Sequence, residues 1–347
     1  MTLTGEGLRG RAISGPAGVA SCFTECLVKA IRYHRYGDGE ALEFGEVDIP
    51  EPTEDRVLVR IRAASVNSWD WSRLRGRPLW GRFDTGWRRP KNPRFGADLA
   101  GTVVAVGPDV TDFVVGDEVL GDLSWFGWGA FAEYAAVRQR GLAPKSSQLT
   151  FEEAAAVPQA GLLALQGIRK ADLKEGERVL INGAGGGTGT FAIQMAKSIG
   201  AEVIGVDRAM KADLIHSLGA DEFIDFEQQD YTKSGDRYDL ILDLEARRSV
   251  FAYRRCLNPG GRFVVVGGTL RSLLQVVTLG RLIASEGRSL RVLMHKPNRE
   301  DMEEMNRLIE AGTVKPVVEM VYPLEDAAAA VRHLGEGRTL GKVVISI

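Results

Sequence analysis

Residues 179–207, VLINGAGGGTGTFAIQMAKSIGAEVIGVD, hold the clearest chemistry in the chain. The apolar run Val179-Leu180-Ile181 suits a strand buried on both faces. It gives way to Gly183-Ala184-Gly185-Gly186-Gly187-Thr188-Gly189, then to a helical pattern with Ala192, Ala196 and Ile199 on one face. A second apolar run, 203–206, ends in Asp207. Gly183 allows a tight exit from the strand, Gly186 lets a pyrophosphate approach bare backbone, and Gly189 lets the helix lie close on the sheet. The first N–H groups of such a helix are unpaired, and its N-terminus carries about half an elementary positive charge, which suits phosphate. Ala184, Gly187 and Thr188 complete the loop that would meet it. Asp207, roughly 20 residues on, can accept hydrogen bonds from ribose hydroxyls. Strand, glycine turn, helix, strand and acid predict a dinucleotide-binding βαβ unit, although the spacing GxxGxxG departs from the usual GxGxxG. Asp207 would repel the 2′-phosphate of NADP(H), and Arg208 and Lys211 could offset that repulsion. The balance leans to NAD(H).

A second constellation lies upstream. Asn67 has a side-chain N–H₂ group that could polarise a substrate oxygen, and Asp70 could orient it or hold the nicotinamide ribose. The same two residues could simply cap a short helix. Catalytic zinc needs three protein ligands, yet residues 28–150 contain no cysteine and the four histidines, His34, His216, His295 and His333, are scattered. Each histidine is read as a surface or packing residue, and no metal is expected. Without a Lewis acid, an unactivated ketone lacks support for its developing alkoxide. A quinone or an α,β-unsaturated carbonyl is easier, because conjugation carries the charge to oxygen. Between Trp69 and Phe95, seven arginines and Lys91 face only Asp84 among acids after Asp70, with tryptophans interleaved. A lid over an aromatic pocket lined by Trp69, Trp71, Trp125 and Trp128 is the functional reading; a solvated loop whose arginines cover the rings is the plain one. Nucleic-acid binding is disfavoured, since the net charge of the chain is -2.

The elements that must hold these groups follow from patterning. Short strands are predicted at 28–33, 57–63, 102–106, 118–120 and 130–137, with turns at Gly107-Pro108 and Gly116-Asp117. Their spacing suggests a small, mostly antiparallel barrel. A helix over 149–170, interrupted at Pro158, leads into the nucleotide domain. After Asp207, strands at 222–224, 240–242, 263–266 and 290–294 bring the parallel set to six, as a doubly wound sheet requires. Asp243, Gly267 and Gly268 then fall at the strand ends where cofactor is met. A helix at 301–310, a strand at 316–321, a helix at 324–333 and a strand at 342–347 close the chain.

At 347 residues the chain is long enough for two domains. Three cysteines, Cys22, Cys26 and Cys256, make no disulfide framework and fit a reducing compartment; the expected location is cytoplasmic. Residues 1–27, rich in Gly, Ser, Ala and Thr, are expected to form a loosely ordered extension, and no apolar run approaches the ~20 residues of a membrane span.

The motifs KAIRYHRYG, AASVNSWDW, FGADLAGTVVAVGPDV, VVGDEVLG, AAAVPQAGLLALQG and the glycine loop stand in the order seen in medium-chain dehydrogenase/reductases. From Val28 to Ile347 the chain resembles their zinc-free, quinone-oxidoreductase-like branch. The resemblance implies an α/β protein: a GroES-like β-barrel catalytic domain over 28–150, completed by 315–347, plus a Rossmann domain with a doubly wound parallel sheet over 151–314. It places Asn67 where zinc-dependent relatives have a cysteine ligand, and Gly96-Ala97-Asp98 where they have Gly-His-Glu. Leu163 stands where relatives often carry a threonine that touches the nicotinamide. The implied activity is metal-independent hydride transfer from NAD(P)H to quinones or activated enones. A nucleotide-binding sensor with little turnover and a zinc-free alcohol dehydrogenase are the alternatives. Small molecules are the expected partners, and relatives often form homodimers through Rossmann-domain edges.

Overall fold

The computed structural model describes residues 27–347. The extension expected over 1–27, with Cys22 and Cys26, lies outside the described residues except for Leu27, which opens the first strand.

The first part of the chain builds a mostly antiparallel sheet around one long strand. β1 (Leu27–Tyr33) pairs with β2 (Leu42–Asp48). β3 (Arg56–Val66) pairs antiparallel with β4 (Asp98–Val106), which pairs in turn with β5 (Glu118–Asp122). β6 (Tyr134–Arg138) returns to β3, and β7 (Leu142–Pro144) edges β5. β3 runs past the expected 63 because Ala63, Ala64, Ser65 and Val66 are all buried, so the alternation stops while the strand continues. β4 begins four residues before its β-branched run: Gly101 is needed there, since a Cβ would sit 2.2 Å from the Arg60 carbonyl oxygen on β3. β2 and β7 were not expected. β2 buries none of its seven residues and so shows no apolar face, and β7 is three residues long and ends in proline.

The helix expected over 149–170 is two helices. Thr150 caps Phe151–Ala155, accepting from the Glu153 N–H at 3.2 Å while its own N–H donates to Glu153 Oε2 at 2.9 Å. Pro158, with no N–H to give, then opens a new helix, Pro158–Ala171.

β8 (Arg178–Asn182), β9 (Glu202–Asp207), β10 (Glu222–Asp225), β11 (Tyr238–Asp243), β12 (Leu257–Val265) and β13 (Ser289–Val292) form the second sheet. Every pairing is parallel, in the order β10-β9-β8-β11-β12-β13, so the direction of winding reverses between β8 and β11. That is the doubly wound arrangement the six apolar runs predicted. β14 (Val318–Pro323) and β15 (Lys342–Ser346) rejoin the first sheet, β15 lying antiparallel to β3. The two sheets share one core: Ala63, Ala100, Leu120 and Ala143 of the first pack in the same cluster as Leu162, Ile181, Phe191 and Leu242 of the second. The two sheets are therefore held against each other by buried apolar contact.

Candidate active site

The glycine loop sits on the C-terminal end of β8 and feeds the helix Gly187–Ser198. Gly183 holds φ +88°, and a Cβ on Gly189 would fall 2.2 Å from the Gly183 carbonyl oxygen and 2.4 Å from that of Ala184. Only glycine lets the helix begin so close to the strand. At Gly186 a Cβ would meet nothing nearer than 3.5 Å, which leaves an open cradle beside the free N–H groups of the first helical turn. Ala184 is buried under the turn, while Gly187 and Thr188 are half-buried at its mouth. Two lysines flank the loop. The Lys211 stem lies 2.6 Å from where a Gly185 Cβ would be, and the Lys342 stem 2.6 Å from where a Gly187 Cβ would be. Asp207 ends β9 and accepts the Gly185 N–H at 2.9 Å, the Arg208 N–H at 2.9 Å and the Lys211 ammonium at 3.3 Å. Bare backbone, a helix N-terminus and a carboxylate at the second strand's end fit a dinucleotide.

The other strand-end residues have partners of their own. Asp243 is buried: Oδ1 accepts from Asn182 Nδ2 at 2.7 Å and the Glu245 N–H at 3.0 Å, and Oδ2 from the Tyr231 hydroxyl at 3.3 Å. Burial pushes its carboxyl up to about 6 despite those donors. Gly267 and Gly268 are required by the chain passing over them, since Cβ atoms there would come 2.4 Å from the carbonyl oxygens of Leu244 and Ala246. Each of the three has a fold-level reason to be what it is. Arg208 leans on Glu227 at 3.6 Å.

Facing the loop is a buried polar row contributed by the first sheet. Asn67 precedes the helix Ser68–Leu74, and its N–H donates to Asp70 Oδ2 at 2.7 Å, so the capping reading of this pair is seen directly. The Asn67 side chain is held at both ends. Nδ2 donates to Asp98 Oδ2 at 3.0 Å, with the Ser65 carbonyl at 3.5 Å, and Oδ1 accepts from Lys342 Nζ at 2.5 Å. The N–H₂ expected to polarise a substrate oxygen thus faces protein acceptors. Lys342 also donates to the Val66 carbonyl at 3.0 Å and lies 3.8 Å from Asp98. Asp98 further accepts the Gln159 N–H at 3.2 Å and the Ser65 hydroxyl at 3.2 Å. Burial and the neighbouring Asp98 push Asp70 up to about 8, so it is largely protonated at neutral pH. Burial also raises Asp98, with Lys342 pulling it back, and burial lowers Lys342. Asp70 Oδ1 and Gln159 Nε2 are buried without a hydrogen-bond partner.

The row continues to the second sheet. Asp98 and Asp122 are register partners on β4 and β5, and Asp122 Oδ2 meets His295 Nε2 at 2.7 Å. Of the surface and packing roles expected for His295, the surface one is corrected: its ring is almost fully buried and reaches from the end of the parallel sheet to Asp122 of the other. Trp69, 41% exposed, stands edge-on to Trp128 at 6.1 Å and to His295 at 6.3 Å between ring centroids. The other two tryptophans are elsewhere. Trp71 packs on Gly335 of the helix Ala327–Gly335, under the Arg75 guanidinium, and Trp125 is 58% exposed. The arginine-rich segment shows both readings in part: Arg73 covers Trp128 at 4.3 Å and Arg82 covers Tyr36 at 4.3 Å, while the exposed Phe83 and Trp87 rings lean on each other at 5.2 Å, tilted by 31°.

Asp122, Gln159, His295 and Lys342 were missed from sequence, and Asp98 was noted only for what it was not. Lys342 carried a signal: a lysine opening the apolar strand KVVISI after a glycine. His295 carried none, because its partner lies 173 residues away. Among the described residues, no group of three His, Cys, Asp or Glu side chains is arranged to hold a metal ion.

A two-domain fold with this loop and cleft defines an NAD(P)H-dependent oxidoreductase. The chain belongs to the zinc-free, quinone-oxidoreductase-like branch of the medium-chain dehydrogenase/reductase family. Residues 53–147 match the alcohol dehydrogenase GroES-like domain, and 218–345 match the family described as zinc-binding dehydrogenase. The chain is 30% identical over 335 residues to a chloroplast envelope quinone oxidoreductase homolog of Arabidopsis thaliana, covering 92% of this chain and 98% of the relative. It is 31% identical over 335 residues to an NADPH-dependent alkenal/one oxidoreductase, chloroplastic, of the same plant, covering 92% of this chain and 79% of the relative. The solved quinone oxidoreductase of Coxiella burnetii superposes with a TM-score of 0.84 at 26% identity, over 93% of this chain and all of that one. Both plant relatives carry the chloroplast in their names, which overturns the expectation of a cytoplasmic location.

Proposed function

We propose that the chain reduces quinones and α,β-unsaturated carbonyls with a nicotinamide nucleotide and without a metal. The observation that carries this reading is the buried row facing the glycine loop. Its carboxylates are already engaged by Lys342, His295 and hydrogen-bond donors, so it offers no open tripod of ligands for a Lewis acid. Hydride supplied by the reduced nicotinamide at a conjugated carbon needs only modest support at oxygen. Asn67 acts here as a positioning residue that locks Lys342 against Asp98, and the half-exposed Trp69 ring, standing edge-on to Trp128, offers an apolar surface for a conjugated ring. The quinone and alkenal/one reductases named above support the same substrate class. Stopped-flow oxidation of NADH and NADPH against a panel of quinones, enones and plain alcohols tests it: turnover restricted to alcohols, or none with any acceptor, would sink the reading.

The cofactor preference we infer is NAD(H). Lys211 is buried against Asp207 and Arg208 leans on Glu227, so neither cation stands free to take a 2′-phosphate. Asp207→Ser removes the repelling carboxylate and releases Lys211. The NADPH-to-NADH ratio of kcat/KM should rise by about 10- to 100-fold, corresponding to 1.4–2.7 kcal/mol. An unchanged ratio would show that Asp207 does not read the ribose.

We also take 28–150 with 315–347 as the catalytic unit and 151–314 as the nucleotide unit, consistent with β14 and β15 rejoining the first sheet. A homodimer through the β13 edge is proposed. β13 ends its sheet, and the neighbouring helix Leu270–Ile283 exposes Leu274, Val277 (66%) and Leu282 (79%). Light scattering should read twice the chain mass; a monomer at micromolar concentration would reject it.

A further inference from the structure

We propose, resting on the reading of the chain as an enone and quinone reductase, that His295 is the proton donor of the reaction and that Asp122 positions it. His295 lies three residues beyond β13, at the C-terminal edge of the parallel sheet, where ligands of this fold gather. Asp122 closes β5 in the other sheet. Its carboxylate is fixed on both sides: Oδ2 meets His295 Nε2 at 2.7 Å, and Oδ1 accepts the Ser124 N–H at 2.8 Å. With Nε2 held against the Asp122 carboxylate, the other ring nitrogen faces away from it. That nitrogen, Nδ1, is buried and has no partner in the protein. Leaving a buried polar atom unpaired is costly, and a ligand oxygen arriving beside Trp69 would remove that cost. The dyad of carboxylate and imidazole with one free nitrogen is the arrangement general acids and bases use.

The step balances. Hydride, with two electrons, reaches the β-carbon of the enone; the C=C pair moves to give an enolate; the imidazolium Nδ1–H bond breaks as the new O–H or Cα–H bond forms. The nicotinamide is oxidised, the enone is reduced by one hydride and one proton, and the neutral imidazole takes its next proton from water. With a quinone the same proton completes a hydroquinone.

A competing role is a latch that merely pins the sheets together, and the experiment separates the two. His295→Gln is compared with the wild type by turnover of 2-cyclohexenone, by nucleotide Kd from fluorescence, and by binding of 4-nitrophenolate, an enolate-like anion read by its absorbance. Expected for a donor are a kcat about 100-fold lower, a phenolate affinity at least about tenfold weaker, and a nucleotide Kd within about threefold. In ¹⁵N-histidine spectra, simplified by there being four histidines, Asp122→Asn should shift the His295 nitrogens toward the other tautomer. Unchanged kcat and unchanged phenolate affinity overturn the proposal, as does a collapse of nucleotide binding and unfolding midpoint together, the mark of a latch. If the wild type turns over no acceptor, the functional reading has failed; phenolate binding still decides whether His295 faces a ligand.

Discussion

Lys342→Met should cost the folded protein about 3–5 kcal/mol at pH 8, read from urea unfolding midpoints. Among the described residues the ammonium is the one cation that touches Asp98 and Asn67 together, and it is almost fully buried. Methionine keeps the stem that packs against Gly187 but leaves Asp98 and Asp70 buried with no positive charge between them. Removing one partner of a buried pair leaves the other's desolvation uncompensated, which is why the loss exceeds what the pair itself contributes. Lys342→Met/Asp98→Asn, with both charges gone, should recover more than half of it. The loss should also shrink at pH 5.5, where Asp98 can take up a proton. A single variant within about 1 kcal/mol of wild type would show that the row is wet and weakly coupled. Function should follow the same logic: the Gly341 N–H donates to the Gly185 carbonyl at 2.9 Å, so loosening the start of β15 loosens the loop that must grip pyrophosphate.

What sequence could read here was whatever is local. The loop, its helix and the six parallel strands repeat a pattern within a few residues, whereas the order of strands in the sheet had to come from the structure. Asn67 and Asp70 stood out because three residues separate them. The rest of the site is assembled by contacts that sequence spacing does not encode: Lys342 reaches Asn67 across 275 positions and His295 reaches Asp122 across 173. Even the glycines were only half legible. Gly183 and Gly189 are needed for the reasons foreseen, whereas Gly267 and Gly268 answer to a crossing chain, residues 244–246, that no motif announces. Trp71 shared the pattern of a pocket residue, but the helix that carries it turns alternate residues to different neighbours, and Gly335 leaves the space its ring fills.

Asp70→Asn should reverse part of the pH dependence of stability. In an unfolded chain Asp70 titrates near 4. In the folded protein burial and Asp98 hold it at about 8, so between these values the native state carries one proton more than the unfolded one. Stability from this group is therefore complete below about pH 4, falls as pH rises, and is exhausted above about pH 8, with a slope of about 1.4 kcal/mol per pH unit in between. Asparagine is neutral throughout, fits the same volume, and can accept the Asn67 N–H through its carbonyl. The variant should exceed the wild type by about 1.5 kcal/mol at pH 5 and by about 4 kcal/mol at pH 7. Paired urea titrations at the two values read the difference directly, and titrations of other groups common to both proteins cancel. A difference that stays flat with pH would mean Asp70 is ionised in the fold. Lys342 would then have two buried carboxylates to neutralise instead of one, and the orphaned Asp70 Oδ1 would be a bare charge where a neutral acid's hydroxyl fits better.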